Sequence, residues 1–267
     1  MNGHRRSGAR KPDAPKHPAA RPRSSPSSIQ NWLLAKLSRA DYERLMPHLE
    51  PIELSLGEIV YEADARQSYL YFPTTSVVSL VYTMKDGASA EMGVVGNEGV
   101  VGLALYMGGG RQPNRALVQV AGAALRMKAK ALRAELYRHG SLQLLLLRYA
   151  QALLTQVSQT AVCNCLHSVE QRLCRWLLLC DDRVRPRELA LTQAFIATML
   201  GVRREAVTAA AQKLQAARWI RYSHGRIVVL DRRGLENRVC ECYQVVRREA
   251  ERLLGGTKSS TTGSTPL

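Results

Sequence analysis

No uncharged apolar stretch of about 18 residues, the minimum for a membrane-spanning helix, occurs in this sequence, so no membrane partner is expected. The N-terminal segment MNGHRRSGARKPDAPKHPAARPRSSPSS lacks the apolar core of a secretory signal, which points to a cytoplasmic chain with reduced thiols. Those thiols are Cys163, Cys165, Cys174, Cys180, Cys240 and Cys242, and none precedes residue 163. His139, His167 and His224 lie far apart, outside any HExxH, GxSxG or P-loop setting, and the acids show no obvious pairing. An enzyme is therefore not expected.

Acidic residues are also short in supply: 38 Lys and Arg face 22 Asp and Glu, a formal charge of +16. The excess is uneven. Residues 1–28 carry seven basic side chains against one acid, residues 29–165 thirteen against eleven, and residues 166–254 seventeen against ten. A localised excess of this kind suits a polyanion, nucleic acid before membrane, because neutralising phosphates releases counterions. Residues 1–28 read as a disordered basic arm adding non-specific DNA affinity, and residues 255–267 as a flexible tail.

Between them helical texture gives way to strand-like runs and then returns. Residues 29–49 are helical and short, with Ser38 as a cap. From Pro51 to Met127 come short runs, EIVYE, SYLYFP, SVVSLVYT, ASAEMGVV, RALVQV and AALRM, separated by turn signals; these predict an antiparallel sandwich or barrel. Helical texture returns at Ala129–Tyr137, and Ser141 is placed to cap a long helix to Cys165. Along it Leu142, Leu146, Tyr149, Leu153 and Val157 form one seam, and Leu144, Leu145, Leu147 and Leu154 make further apolar faces. A helix apolar on more than one side needs two partners, its own β domain and a second subunit packed as a coiled coil; the plainer alternative is a core helix of one large domain. Ser168 then caps SVEQRLCRWLLLCDD, whose Leu173, Trp176, Leu177 and Cys180 share a face, and Leu235–Leu254 reads as one final helix.

The stretch LTQAFIATMLGVRREAVTAAAQKLQ, Leu191–Gln215, is the most specific. In a helix-turn-helix the first helix crosses the second steeply, so the residue at the crossing must be small, and Ala197 is. Four residues on, the turn needs a conformation that glycine adopts freely, supplied by Gly201. Six further on, Val207 pins the second helix, and Ile196, Leu200, Val202, Ala210 and Leu214 fill the remaining inward positions. An ordinary helical hairpin is the bland alternative. The following WIRYSHGRIVVLD, with Ser223–His224–Gly225 as its turn, predicts a wing. Arg221, His224 and Arg226 on the wing, and Arg203 at the opening of the second helix, are the expected phosphate contacts.

In this order, a β domain, a long helix, a winged helix-turn-helix and the segment LGVRREAVTAAAQKLQ resemble the Crp/Fnr family of bacterial transcription regulators over Ile29–Leu254. The resemblance implies an α+β chain. It would consist of a cyclic-nucleotide-binding-like β roll (29–140), a dimerisation helix (141–165) and a winged helix-turn-helix (166–254) that reads a palindromic DNA site as a homodimer and contacts RNA polymerase. The family's recognition helix reads bases through an Arg-Glu pair and an Arg four residues later. Arg204 and Glu205 match the pair, Ala209 replaces the second Arg, and Thr208 matches a small polar position. Arg suits guanine O6/N7 and Glu suits cytosine N4. The family's cyclic-nucleotide clamp, a Gly-Glu-Leu segment followed by Arg-Ser, is not matched: Leu103 stands at the Glu, and Asn114–Arg115 at the Arg-Ser pair. Control by cyclic AMP is therefore not expected.

Two other readings fit parts of the sequence. A redox or metal sensor would use Cys163, Cys165, Cys174 and Cys180 as thiolate ligands. Iron–sulfur members of the family, however, hold their cluster with N-terminal cysteines, and Cys174 and Cys180 lie on an apolar helix face, where cysteine packs as a small hydrophobe. No metal and no cofactor is expected. A non-DNA-binding interaction module would retard no promoter fragment.

Overall fold

Asn31 accepts hydrogen bonds from the Leu33 and Leu34 N–H groups and so opens helix α1 (Trp32–Ala35). The structure, a computed structural model, describes residues 30–183 and 188–255. The basic arm read at 1–28, part of the RVRPRE loop and nearly all of the 255–267 tail lie outside the described residues. Helix α2 (Arg39–Leu45) follows, capped by Ser38.

Seven strands come next: β1 (Glu50–Leu54), β2 (Ile59–Tyr61), β3 (Tyr69–Pro73), β4 (Val77–Thr83), β5 (Ser89–Val95), β6 (Arg115–Val120) and β7 (Gly122–Lys128). They form two antiparallel sheets, ordered β1-β7-β3 and β2-β6-β4-β5. Six of the strands lie in the six runs picked out by their β-branched and aromatic content. The seventh, β1, is spelled EPIEL and sits at a sheet edge, where a proline costs no ladder bond and the outward positions stay polar. Leu70, Phe72, Val78, Val118 and Met127 fill the core of this domain together with Leu33 and Leu34 of α1.

Helix α3 (Ala129–Leu136) leads to α4 (Ser141–Leu166). Ser141 is not the cap of α4 but its first residue, after Gly140. Asp41 of α2 takes over the terminus, accepting from the Ser141 N–H at 3.1 Å and from its hydroxyl. These bonds, with one from Arg44, hold the Asp41 carboxyl well below the usual carboxylate range, and a negative charge at this end suits the helix dipole.

The seam read as a dimer interface proves to be mostly the inward face of α4. Leu142, Leu146 and Tyr149 are buried in the core of the β domain, and Leu153 and Val157 are half-buried. Counting apolar positions could not rank the faces, because α4 is apolar on several and the β domain takes the best-packed one. The face left open carries Leu144, Leu147, Leu154, Val162 and Leu166, with Leu154 66% and Leu166 75% exposed.

Helix α5 (Val169–Asp181) starts at a Ser168–Gln171 capping box. Then come β8 (Glu188–Ala190), α6 (Gln193–Leu200), α7 (Arg204–Ala216), β9 (Ile220–Ser223), β10 (Arg226–Val229), α8 (Arg232–Arg238) and α9 (Cys242–Leu254). The final segment is thus two helices rather than one. Asp231 starts α8 by accepting from the Gly234 N–H, and Val239 ends it in an extended conformation. A side chain at Gly234 would collide with the Trp219 ring, so glycine is what lets α8 lie this close. The break turns α9 back along α4, where Leu253 and Leu254 join the β-domain core and Gln151 donates to Glu249 at 3.3 Å.

Sheet and α5 also meet through polar groups. Trp176 Nε1 donates to Glu91 Oε1 on β5 at 3.1 Å, and just past the ends of α5 and β5 Arg183 pairs with Glu98 at 2.6 Å. Burial pushes the Glu91 carboxyl up from 4.5 to about 7. The raised value means that folding takes up a proton. The stability this group contributes is fully present below pH 4.5 and is lost as pH rises to about 7. Glu91→Gln is expected to remove that fall, worth on the order of 3 kcal/mol, in urea melts recorded across the same pH window. A variant with the wild-type slope would show that Glu91 ionises normally.

Candidate nucleic-acid interface

Thr192 caps α6 by accepting from the Phe195 N–H at 3.1 Å, and α6 ends at Gly201, whose φ of 60° and ψ of 43° are left-handed. Ala197 and Val207 are both buried where α6 and α7 cross, as are Ile196, Leu200, Ala210 and Leu214, while Val202 is half-buried. The Arg172 guanidinium reaches up from α5 to the Leu200 carbonyl and closes the end of α6.

This packing turns the other side of α7 outward. Arg203, Arg204, Glu205, Ala209 and Gln212 are exposed there, the first three at the positively polarised end of the helix. Thr208 is less open than its neighbours: its hydroxyl sits 2.8 Å from Gln193 Oε1 and 3.0 Å from the Arg204 carbonyl. Its methyl and an acceptor lone pair are what it can still offer. Two members of this surface were missed in the sequence. Gln212 follows Arg204 and Thr208 at intervals of four, a signal that was readable, whereas Gln193 joins only through the α6–α7 crossing.

The wing is a three-stranded sheet ordered β8-β10-β9. Its turn has both central residues left-handed, His224 at φ 49° and Gly225 at φ 72°, which matches the twist of the flanking strands. His224 Nδ1 lies 2.7 Å from the Ser223 hydroxyl and the side chain is exposed. Tyr222 fixes the wing to its surroundings, donating its N–H to Gln215 of α7 at 2.6 Å and its hydroxyl to the Leu191 carbonyl at 2.9 Å. Arg221 is exposed, while Arg226, also exposed, already pairs with Glu188 of β8 at 2.8 Å. β8 was invisible in the sequence because it is three residues of a loop-like stretch, and with it the partner of Arg226. Arg218, just after α7, is also exposed.

Away from the interface, Leu103 is buried in a 3₁₀ turn (Leu103–Leu105) and offers no carboxylate. The Asn114 amide is buried and donates to the Tyr61 hydroxyl at 3.1 Å, and Tyr61 donates in turn to Gln112 at 2.8 Å. Arg115, half-buried, heads β6 opposite Val81. The four cysteines read as an alternative metal set are not brought together. Cys174 and Cys180 are buried in the core beneath the helix-turn-helix, where desolvation pushes the Cys174 thiol up to about 12 and Cys180 in the same direction. Gln119 donates to Cys180 Sγ at 2.9 Å. Cys165 is exposed, and Cys163 faces Cys240 instead.

Residues 171–238 match the sequence profile of the Crp-like helix-turn-helix domain. Over these residues the chain carries a Crp-like helix-turn-helix domain. Solved structures of similar shape include FixK2 from Bradyrhizobium japonicum (TM-score 0.60, 17% identity, 72% of this chain and 98% of that one). TTHB099, a CRP-family transcriptional regulator from Thermus thermophilus, aligns at a TM-score of 0.57 and 18% identity over 79% of this chain and 100% of its own. The c-di-GMP responsive regulator CLP of Xanthomonas campestris gives 0.56 and 16% over 72% and 99%. At these identities the likeness is one of fold. No curated protein matches the chain.

In this Crp-like domain the left-handed Gly201 is the joint between the helices. Gly201→Val is expected to lower stability by about 1–2 kcal/mol, read as a shifted urea midpoint with an unchanged slope. An unaltered midpoint would mean that the turn tolerates a side chain.

Proposed function

We propose that this chain is a sequence-specific, DNA-binding transcription regulator, acting in the cytoplasm as a homodimer on a palindromic site and contacting RNA polymerase when bound. One observation carries the reading: the first turn of α7 presents Arg204 and Glu205 to solvent on a helix pinned from behind, and the wing that follows it carries exposed cations. A helix so held fits the major groove, with Arg204 and Glu205 on base edges and Thr208 offering its methyl to a thymine. Arg203, Arg221 and His224 take phosphates. Arg226 contributes less because Glu188 already faces it.

Binding-site selection on variants, paired with salt titration, separates the roles. Arg204→Ala and Glu205→Ala are each expected to relax preference at one base pair per half-site, by about 1–3 kcal/mol. Arg221→Ala is expected to weaken specific and random DNA alike and to flatten the salt slope by about one. If Arg204→Ala keeps the wild-type site and loses only salt-dependent affinity, the reading face is rotated toward Arg203.

The dimer proposal moves to the open face of α4. Leu144, Leu147 and Leu154 repeat at intervals of three and seven, a coiled-coil seam that a lone chain leaves in water. The double variant Leu147→Glu/Leu154→Glu is expected to be monomeric by light scattering and to bind DNA on the order of 100-fold more weakly, having lost the second half-site. Leu146→Lys is expected instead to unfold the β domain. A dimeric double variant would contradict the seam.

DNA binding is proposed to need no cyclic nucleotide. Leu103 cannot accept from a ribose hydroxyl, and the Asn114 amide is already engaged with Tyr61. Calorimetry with cyclic AMP and cyclic GMP is expected to show no saturable heat at micromolar concentrations; saturable heat would refute this.

A further inference from the structure

Four potential metal ligands meet where α4 ends and α9 begins. Cys163 and His167 lie one helical turn apart at the end of α4, and Cys240 and Cys242 flank the start of α9. Their ligand atoms all lie within 4.8 Å of one another. A tetrahedral zinc ion with bonds of about 2.3 Å to sulfur and about 2.0–2.1 Å to nitrogen sets its ligands about 3.8 Å apart for S···S and about 3.5 Å for S···N. The structure has Cys163 Sγ and Cys240 Sγ at 3.5 Å, and Cys242 Sγ and His167 Nδ1 at 3.6 Å. We propose that Cys163, His167, Cys240 and Cys242 bind one structural zinc ion, which staples the start of α9 to the end of α4.

Two surrounding groups fit that ion. With His167 Nδ1 toward the cysteines, its Nε2 lies 3.4 Å from the Glu241 carboxylate, the outer partner that fixes ring and tautomer in many zinc sites. Arg175 is buried beside the cluster: its Nη2 donates to Thr160, one turn before Cys163, at 3.1 Å, while Nε and Nη1 have no hydrogen-bond partner among the described residues. Three thiolates, a neutral imidazole and Zn²⁺ sum to one negative charge, which places an anion near a guanidinium whose neighbouring carboxylate, Glu91, makes it no hydrogen bond. Binding releases the three thiol protons and needs no oxidant. The three cysteines form a small buried cluster of their own, with Val239 packed against both it and the larger core.

The site does not depend on the DNA-binding reading and revises the expectation of no metal, using a cysteine set different from the one weighed in the sequence. The test is elemental analysis of the full-length chain, purified without a histidine tag under reducing conditions, with cobalt substitution of the wild type. About one zinc per chain is expected, and tetrahedral cobalt absorption with thiolate charge transfer. Cys163→Ser, Cys240→Ser and Cys242→Ser are each expected to lose at least tenfold in zinc content, and Cys165→Ser to keep it. A chelator is expected to lower the Tm of the wild type and not that of Cys240→Ser. Wild-type protein that takes up neither zinc nor cobalt overturns the proposal. So do stoichiometric iron with sulfide, a Cys163–Cys240 disulfide in fresh reduced preparations, or zinc retained by all three variants.

Discussion

Helix α5 is buried on every side, and the arrangement of both domains depends on that. Its apolar residues, Leu173 to Cys180, pack against the helix-turn-helix and against Val77, Val81 and Val94 of the β4–β5 sheet in one continuous core. Each polar residue it carries inward is tied to a different neighbour. Trp176 reaches β5, Arg172 closes α6, Arg175 reaches α4, and Asp181 receives Arg232 from α8. Buried polar groups are costly unless paired, so α5 has few ways to sit, and none of them leaves these bonds behind.

From that constraint the exposed chemistry follows. With Val207, Ala210 and Leu214 drawn onto α5, the opposite side of α7 can only face outward, which is where Arg204, Glu205 and Gln212 stand. Arg232 extends the same logic to the C-terminus. It binds Asp181, Asp182, Glu236 and the Tyr243 hydroxyl, and so joins α5, α8 and α9. With α9 laid along one flank of α4 and the β domain along another, the Leu144–Leu147–Leu154 face is left exposed among the described residues.

Much of this was legible in residue order. The small–glycine–valine spacing at 197, 201 and 207 reflects local crossing geometry, and short β-branched runs separated by Gly and Asn turns reflect the pleat and its corners. What was not legible depended on which surface a neighbour claims. The faces of α4 are chemically alike, so spacing chose Leu142, Leu146 and Tyr149 as the free seam when the β domain covers them. The break at Val239 breaks no propensity rule strongly enough to be read. It is set by Trp219 lying over Gly234 and by α9 folding back. For the same reason Cys240 and Cys242, distant in sequence from Cys163 and His167, could not be joined to them before the fold was known.

The central claim is that a helix fixed by a buried scaffold presents a base-reading edge. Its most direct measurement is genome-wide mapping of the sites the full-length chain occupies. The account predicts enrichment at promoters of one recurrent motif with two-fold symmetry, its half-centres one helical turn apart. Occupancy spread over the genome without a shared motif, or absent altogether, would contradict it.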